Sequence, residues 1–467
     1  MAMPSSARPT TSDSALRVLL IAYEFPPSPS PQSLRWAFLV RELLELGTEV
    51  HVLTAENWWP LTSTQPPPGA IVHRAWPGGV AGIIALSRRW RRLRGRSEHE
   101  AGTSDAISNK AGDGAAQPGT GAISSGAAES RLNWKGRTVD QLNKLIRRFT
   151  FPDERGRWEP SARRELEQLL DSLQPDVVIS SHEPATSLRL GRVAKERGFP
   201  WVADLGDPVL SFYTPERWRK GSFDVESWTC AHADRVTVTT EAAKLLLADR
   251  HGVPESRFEV LTQGYDGAQV PEPAAFEFDP GRLELLYTGS FYQFREPRSL
   301  VDAVLASPGA RLNIATSRAP EWLLPLLDSH PQQLRLLGFV PHAQAVSLQR
   351  SVDVLVNIAN DDPVHVPGKV YEYLGAGRPI LHLGDNEEDV AARLVQRHRR
   401  GVVSGNGAAA IAVSLARLVE IKRTGEWSTH FSLDQSGVEQ YQWQSIARRL
   451  HALLQEVVGA RHARETA

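Results

Sequence analysis

The chain holds a single cysteine, Cys230, in 467 residues. One thiol cannot close an intrachain disulfide or supply a Cys-based zinc site, and it agrees with a reducing compartment. No apolar run approaches the roughly 20 residues that a membrane-spanning helix requires. Residues 16–22 are apolar apart from Arg17, but they are few, lack a cleavage-like end and lead into Tyr23-Glu24-Phe25-Pro26-Pro27. They read as a first β-strand rather than a signal sequence. Neither sign of charge is in excess; the net charge of -1 argues against a generic nucleic-acid binder. The expectation is a cytoplasmic protein.

What is present is ordinary for a globular protein, 41% apolar and 23% charged, in a chain too long for one core. Residues 1–15 are rich in Ser, Thr, Pro and Ala, a composition that predicts disorder. Then βα alternation begins: a strand at 17–22, a helix at 32–46 stopped by Gly47, and a strand at 49–54. The pattern breaks after residue 80. A run of arginines (Arg88, Arg89, Arg91, Arg92, Arg94, Arg96) precedes a Gly/Ala/Ser-rich insert at 97–131 that cannot bury enough surface to order itself. A second basic stretch, 135–149, interleaves Leu142, Leu145, Ile146 and Phe149 at helical spacing.

Alternation resumes with helices at 162–173, 184–197 and 241–251, and strands at 176–180, 200–204, 235–239 and 258–261. Residues 271–280 read as a linker. A second set of strands follows at 283–287, 311–314, 334–337, 352–358 and 379–383, and a last helix spans about 438–458. The reading is an α/β protein: residues 16–270 as one Rossmann-like domain, 271–435 as a second, and 436–467 as a helix returning to the first. Open α/β sheets of this kind bind ligands at strand ends, and a cleft between the halves is expected.

The most informative stretch is the apolar strand 352–358, followed by Pro367-Gly368-Lys369-Val370-Tyr371-Glu372-Tyr373-Leu374-Gly375-Ala376-Gly377-Arg378-Pro379. A strand feeds a helix whose mouth carries unbonded backbone N–H groups, one ammonium and one carboxylate. That suits a pyrophosphate beside a ribose. Asp361-Asp362 is an acidic pair, read as a solvated loop; no metal site is visible in the sequence.

Four segments together resemble the family 4 glycosyltransferases, retaining enzymes of the GT-B fold. They are 19–27 with Ser33-Leu34-Arg35; 175–181 with Trp201-Val202-Ala203-Asp204-Leu205-Gly206-Asp207-Pro208; 286–292; and 369–381. The resemblance implies two Rossmann-like domains facing a central cleft. It implies that Glu372 bonds the donor's ribose hydroxyls, with Val366, Gly368 and Lys369 offering backbone N–H groups to the diphosphate. The first glutamate of the family's pair falls at Val364. Gly289, Ser290 and Arg295 occupy the phosphate-side loop, with Arg295 and Lys369 neutralising the leaving group. Val340, in Gly338-Phe339-Val340-Pro341, matches where the family seats the base. In the first half, His182 resembles a donor-sugar contact, and Arg35, Asp204 and Asp207 fall on the acceptor side. Arg155 and Trp158 resemble a segment of this branch with no assigned chemistry.

The resemblance implies a retaining, metal-independent hexosyl transfer from a nucleotide-diphosphate sugar to a glycan or lipid-linked acceptor, in surface polysaccharide or glycolipid synthesis. The nucleotide sugar is a co-substrate, and no cofactor is expected. Two other readings stay open: an epimerase- or hydrolase-like sugar-nucleotide enzyme, and a non-catalytic subunit of a glycan assembly complex. The basic stretches at 88–96 and 135–149 offer a peripheral contact with an anionic membrane on its cytoplasmic face.

Overall fold

The structure is a computed structural model that describes residues 15–56, 65–78, 154–267, 276–291, 297–359 and 365–466. Arg295, Val364, the acidic pair at 361–362, the insert and both basic stretches lie outside the described residues. The chain divides into two compact units. One comprises residues 1–237, 247–259 and 447–467, the other residues 238–246 and 260–446.

In the first unit the described residues form a sheet of order β3-β2-β1-β4-β5-β6-β7. The strands are β1 (Arg17–Ile21), β2 (Glu49–Ala55), β3 (Ile71–Ala75), β4 (Val177–His182), β5 (Trp201–Leu205), β6 (Arg235–Val238) and β7 (Phe258–Val260). β1 lies at the centre of its neighbours, parallel to both β2 and β4. Its run Val18-Leu19-Leu20-Ile21 is apolar at every position because a parallel strand is covered on both faces.

Among the described residues, five helices accompany these strands: α1 (Pro31–Glu45), α2 (Glu159–Leu173), α3 (Ala185–Glu196), α4 (Glu216–His232) and α5 (Glu241–His251). α1 starts where Ser30 accepts a bond from the Ser33 amide at 3.1 Å and Pro31 presets the first turn. It ends before Gly47, whose φ of +81° suits glycine.

α4 has no counterpart in the sequence reading. Its buried positions are Ser222, Glu226, Thr229 and Cys230, so the inward face is polar and the apolar period that announces a helix is missing. Glu226 explains that polarity. Its fully buried carboxylate accepts from Arg250 Nη1 at 2.7 Å, His251 Nε2 at 2.8 Å and the Leu210 amide at 2.9 Å. It thereby ties α4, α5 and the loop after β5. Burial pushes the carboxyl up, but the bonds from His251, Leu210 and Arg250 outweigh it and hold it below the usual range. Burial also pushes the Cys230 thiol, close to Glu226, up to about 12, so it stays protonated and inert.

In the second unit the described residues form a six-stranded sheet, β10-β9-β8-β11-β12-β13, parallel throughout. The strands are β8 (Leu283–Thr288), β9 (Ala310–Ala315), β10 (Leu334–Leu336), β11 (Val354–Ile358), β12 (Ile380–Leu383) and β13 (Gly401–Ser404). The helices are α6 (Arg298–Leu305), α7 (Leu324–Ser329), α8 (His342–Ser351), α9 (Gly368–Gly375), α10 (Val390–Arg397), α11 (Ala408–Thr424) and α12 (Trp427–His430). Two apolar clusters cover the sheet, one including α6 and α11, the other including α9 and α10.

The last helix, α13 (Trp443–Thr466), begins later than its apolar face suggests. Tyr265 pairs with the backbone on both sides of Gln442: its amide donates to the Tyr441 carbonyl, and the Trp443 amide donates to its carbonyl, each at 3.0 Å. Gln442 is extended there, between a 3₁₀ turn at Glu439–Tyr441 and the helix, so the α-helix does not start at 438. Residues 447–467 belong to the first unit, where Arg449 pairs with Glu259 at 2.6 Å and His451 with Thr48 at 3.0 Å.

Two stability outcomes follow. Gly191 lies inside α3, where alanine would ordinarily gain about 1 kcal/mol of helix propensity. A Cβ there would sit 2.2 Å from Trp201 Nε1 and 2.6 Å from Ser180 Oγ. Overpacking of roughly 1–3 kcal/mol or more should win, so Gly191→Ala should lower the urea midpoint. Glu226→Ala should cost about 3–5 kcal/mol by stranding Arg250. Because the Glu226 carboxyl is held low, its contribution is complete above the carboxyl's unfolded pKa and is lost on acidification. The difference between wild type and Glu226→Ala should therefore shrink as pH falls, which urea titrations at several pH values would measure.

Candidate functional site

In the second unit the end of β8 and the start of α9 carry Gly289, Ser290, Val366, Gly368, Lys369 and Glu372, half of the sequence-selected residues. β8 ends at Thr288, and Gly289 follows with a φ of +116°, a conformation that only glycine adopts readily. The Lys369 side chain, in the first turn of α9, reaches this point. Its ammonium donates to the Thr288 carbonyl at 3.2 Å and lies 4.2 Å from the centroid of the Tyr287 ring. Such a cation–π contact contributes about 0.5–2 kcal/mol. The ring is itself fixed: it stacks on Phe291 at 4.6 Å, and its hydroxyl donates to the Ser290 carbonyl at 2.8 Å. On the other side the Tyr373 hydroxyl meets Thr288 Oγ1 at 2.7 Å, and burial pushes its phenol well above the usual range.

α9 opens at Pro367 without a side-chain cap. Its first amides have no intrahelical acceptor, so the helix mouth presents donors and a partial positive charge beside the Lys369 ammonium. Val366 is buried against the core, while Gly368 and Lys369 are partly exposed. This end of the unit can attract an anion; Gly289 and Ser290 lie along it.

Glu372, one turn after Lys369, is 24% exposed and already bonded within the protein. One oxygen accepts from His342 Nε2 at 2.7 Å, the other from Gln349 Nε2 at 3.1 Å. Burial pushes its carboxyl up, but the charge and bond of His342, the Gln349 bond and Lys369 hold it below the usual range. Val340 is partly buried in the loop between β10 and α8, which turns at Gly338 with φ +73° and leaves Phe339 73% exposed.

The first-unit candidates are arranged differently. Arg35 Nη2 pairs with Asp204 Oδ1 at 3.3 Å, with side chains 1% and 2% exposed. The same carboxylate accepts from Thr237 at 2.7 Å and Ser181 at 3.1 Å, and Ser181 in turn accepts from Trp36 at 2.7 Å. Arg35 and Asp204 thus form a buried network rather than a surface pair, and of the two aspartates only Asp207 is partly exposed. His182 closes β4 instead of standing beyond it, is 6% exposed, and its carbonyl accepts from Gln32 at 2.9 Å. Arg155 gains a role the sequence left blank. It pairs with the buried Glu24 at 3.4 Å and lies 5.7 Å from the Tyr23 ring, which packs edge-on against Trp158.

Sequence reasoning missed Tyr287, Thr288 and Tyr373, which seat Lys369, and His342 and Gln349, which hold Glu372. The tyrosines adjoin the selected motifs and could have been found from them. His342 lies thirty residues from Glu372 and carried no local signal. Among the described residues, no group of three or more His, Cys, Asp and Glu side chains could hold a metal ion, and no helix is long and apolar enough to cross a membrane.

The family model of a glycosyl transferase 4-like domain matches residues 117–264. No curated protein matches the chain. Among solved structures, a glycosyltransferase from Rickettsia africae ESF-5 is 11% identical, with a TM-score of 0.55 over 95% of this chain and 99% of that one. A structure from Listeria monocytogenes assigned as a UDP-N-acetylglucosamine 2-epimerase is also 11% identical, with a TM-score of 0.53 over 95% and 96%. At such identity these likenesses establish the fold alone. Residues 117–264 thus match a glycosyl transferase 4-like domain, and the chain has an α/β fold of two Rossmann-like domains.

Proposed function

We propose that the protein transfers a sugar, with retention of configuration, from a nucleotide-diphosphate sugar to a glycan or lipid-linked acceptor. The observation that supports this most is the Lys369 ammonium, held between Tyr287 and the Thr288 carbonyl beside the α9 mouth. As the bond to the anomeric carbon breaks, negative charge grows on the departing diphosphate. Fixed donors and a fixed cation stabilise that charge more than they stabilise the bound donor, which lowers the barrier. Arg295, in the loop after β8, supplies a second cation in this reading. Glu372 takes the ribose, Val340 lies by the base, and His182 and Asp207 serve the sugar and acceptor. No side chain is assigned as a nucleophile, so retention proceeds by front-face attack of the acceptor hydroxyl, without a divalent ion.

The acceptor belongs to surface polysaccharide or glycolipid synthesis in this reading, at the cytoplasmic face of an anionic membrane approached through the basic stretches 88–96 and 135–149. A second reading, isomerisation of the same class of donor, has fold-level likeness to the Listeria structure behind it.

Incubation with UDP- and GDP-sugars, with and without lipid-linked and oligosaccharide acceptors, tests the first reading. Nucleoside diphosphate release that an acceptor accelerates, with the donor's anomeric configuration kept and EDTA without effect, is the expected result. Isomerised donor without transfer would select the second reading. Lys369→Ala should lower kcat by about 10²-fold, the scale of losing one stabilising group in the transition state. An unchanged kcat would remove Lys369 from the chemistry.

A further inference from the structure

Glu372 is gripped from a separate helix. His342 is the first residue of α8 and Gln349 follows seven residues later, two turns along, so both project from one face. Their donors reach different oxygens of the same carboxylate, at 2.7 and 3.1 Å. A carboxylate offers about four lone-pair positions. One on each oxygen is taken, and one on each remains, an arrangement that matches two neighbouring hydroxyls. Both Glu372 and His342 stay about a quarter exposed, at 24% and 27%, whereas Gln349 is buried at 2%.

We propose that His342 and Gln349 are positioning residues that clasp Glu372 so that it reads the vicinal hydroxyls of a nucleotide's ribose, with the His342 charge making nucleotide affinity pH-dependent. This rests on the nucleotide-sugar reading above. Among the described residues, Glu372 on α9 and Asp266 after β7 act on the imidazole, and Lys369 acts on Glu372 from one turn away. Arg350, at the far end of α8, donates to the Asp266 carbonyl at 3.2 Å. Burial pushes the imidazole down, but Glu372 and Asp266 overcome it and raise it above the ordinary histidine value. The imidazolium is therefore present below that raised value and is lost as pH climbs through it. Its loss removes one of the positive charges that offset Glu372 beside a diphosphate, so affinity falls with rising pH.

The test measures Kd for UDP and GDP and for their 2′-deoxy counterparts by calorimetry, in wild type, His342→Gln, His342→Phe and Gln349→Met. Wild type should favour the ribonucleotide by about tenfold or more, the scale of a hydrogen bond to a charged group. Its Kd should rise as pH climbs above the ordinary histidine value. His342→Gln keeps a donor without the charge, so it should keep the ribose preference and lose the pH slope. His342→Phe should lose both. Gln349→Met should weaken the preference and leave the slope. A folded His342→Phe with wild-type preference and slope would overturn the clasp; so would a Gln349→Met that binds both nucleotides as wild type does, should His342→Phe fail to fold. Absence of nucleotide binding by wild type would instead overturn the nucleotide-sugar reading itself.

Discussion

A parallel strand must hand the chain to a connection that returns it to its starting edge. In a right-handed βα winding, every strand therefore ends, and every following helix begins, on the same side of the sheet. In the second unit this constraint brings the end of β8 to the mouth of α9, although 81 residues separate Thr288 from Lys369. The rest of the candidate site depends on that meeting. Tyr287 and Tyr373 can seat the ammonium only because the winding delivers β8 and α9 to one edge. A cation held between an aromatic face and a carbonyl, beside a helix mouth, is arranged to meet an anion without reorganising.

The treatment of buried carboxylates decides which charges remain for ligands. Taking a carboxylate out of water is costly unless donors replace the lost hydration. Glu226 is met by Arg250, His251 and a backbone amide, and Asp204 by Arg35, Thr237 and Ser181. In the second unit Glu284 is met by Arg311 at 2.5 Å, Asn313 at 2.7 Å and the Asp279 amide at 2.9 Å. These groups are nearly or fully buried and hold elements together. Glu372 differs: its two bonds come from α8 while part of its surface stays open. A carboxylate both fixed and reachable is the kind that can recognise hydroxyls.

Legibility in the sequence followed the range of the forces involved. The alternation of apolar strands with amphipathic helices is a local pattern, and it announced two Rossmann-like halves. The run from Pro367 to Pro379 announced a helix with an ammonium and a carboxylate in its first two turns. α4 escaped notice because its buried face consists of Ser222, Glu226, Thr229 and Cys230, whose partners lie on other elements. The start of α13 was misplaced because a bridge to Tyr265, 177 residues from Gln442, holds the chain extended there.

By itself, then, the sequence determined the βα order, the helix carrying Lys369 and Glu372, and the absence of any intrachain disulfide, since each follows from neighbouring residues or a bare count. Only the tertiary structure decided that Arg35 and Asp204 neutralise each other in the interior, that Lys369 rests on Tyr287, and that His342 holds Glu372. A side chain's electrostatic partner is chosen by which strands and helices stack together, and that choice carries no trace in the residues adjoining it.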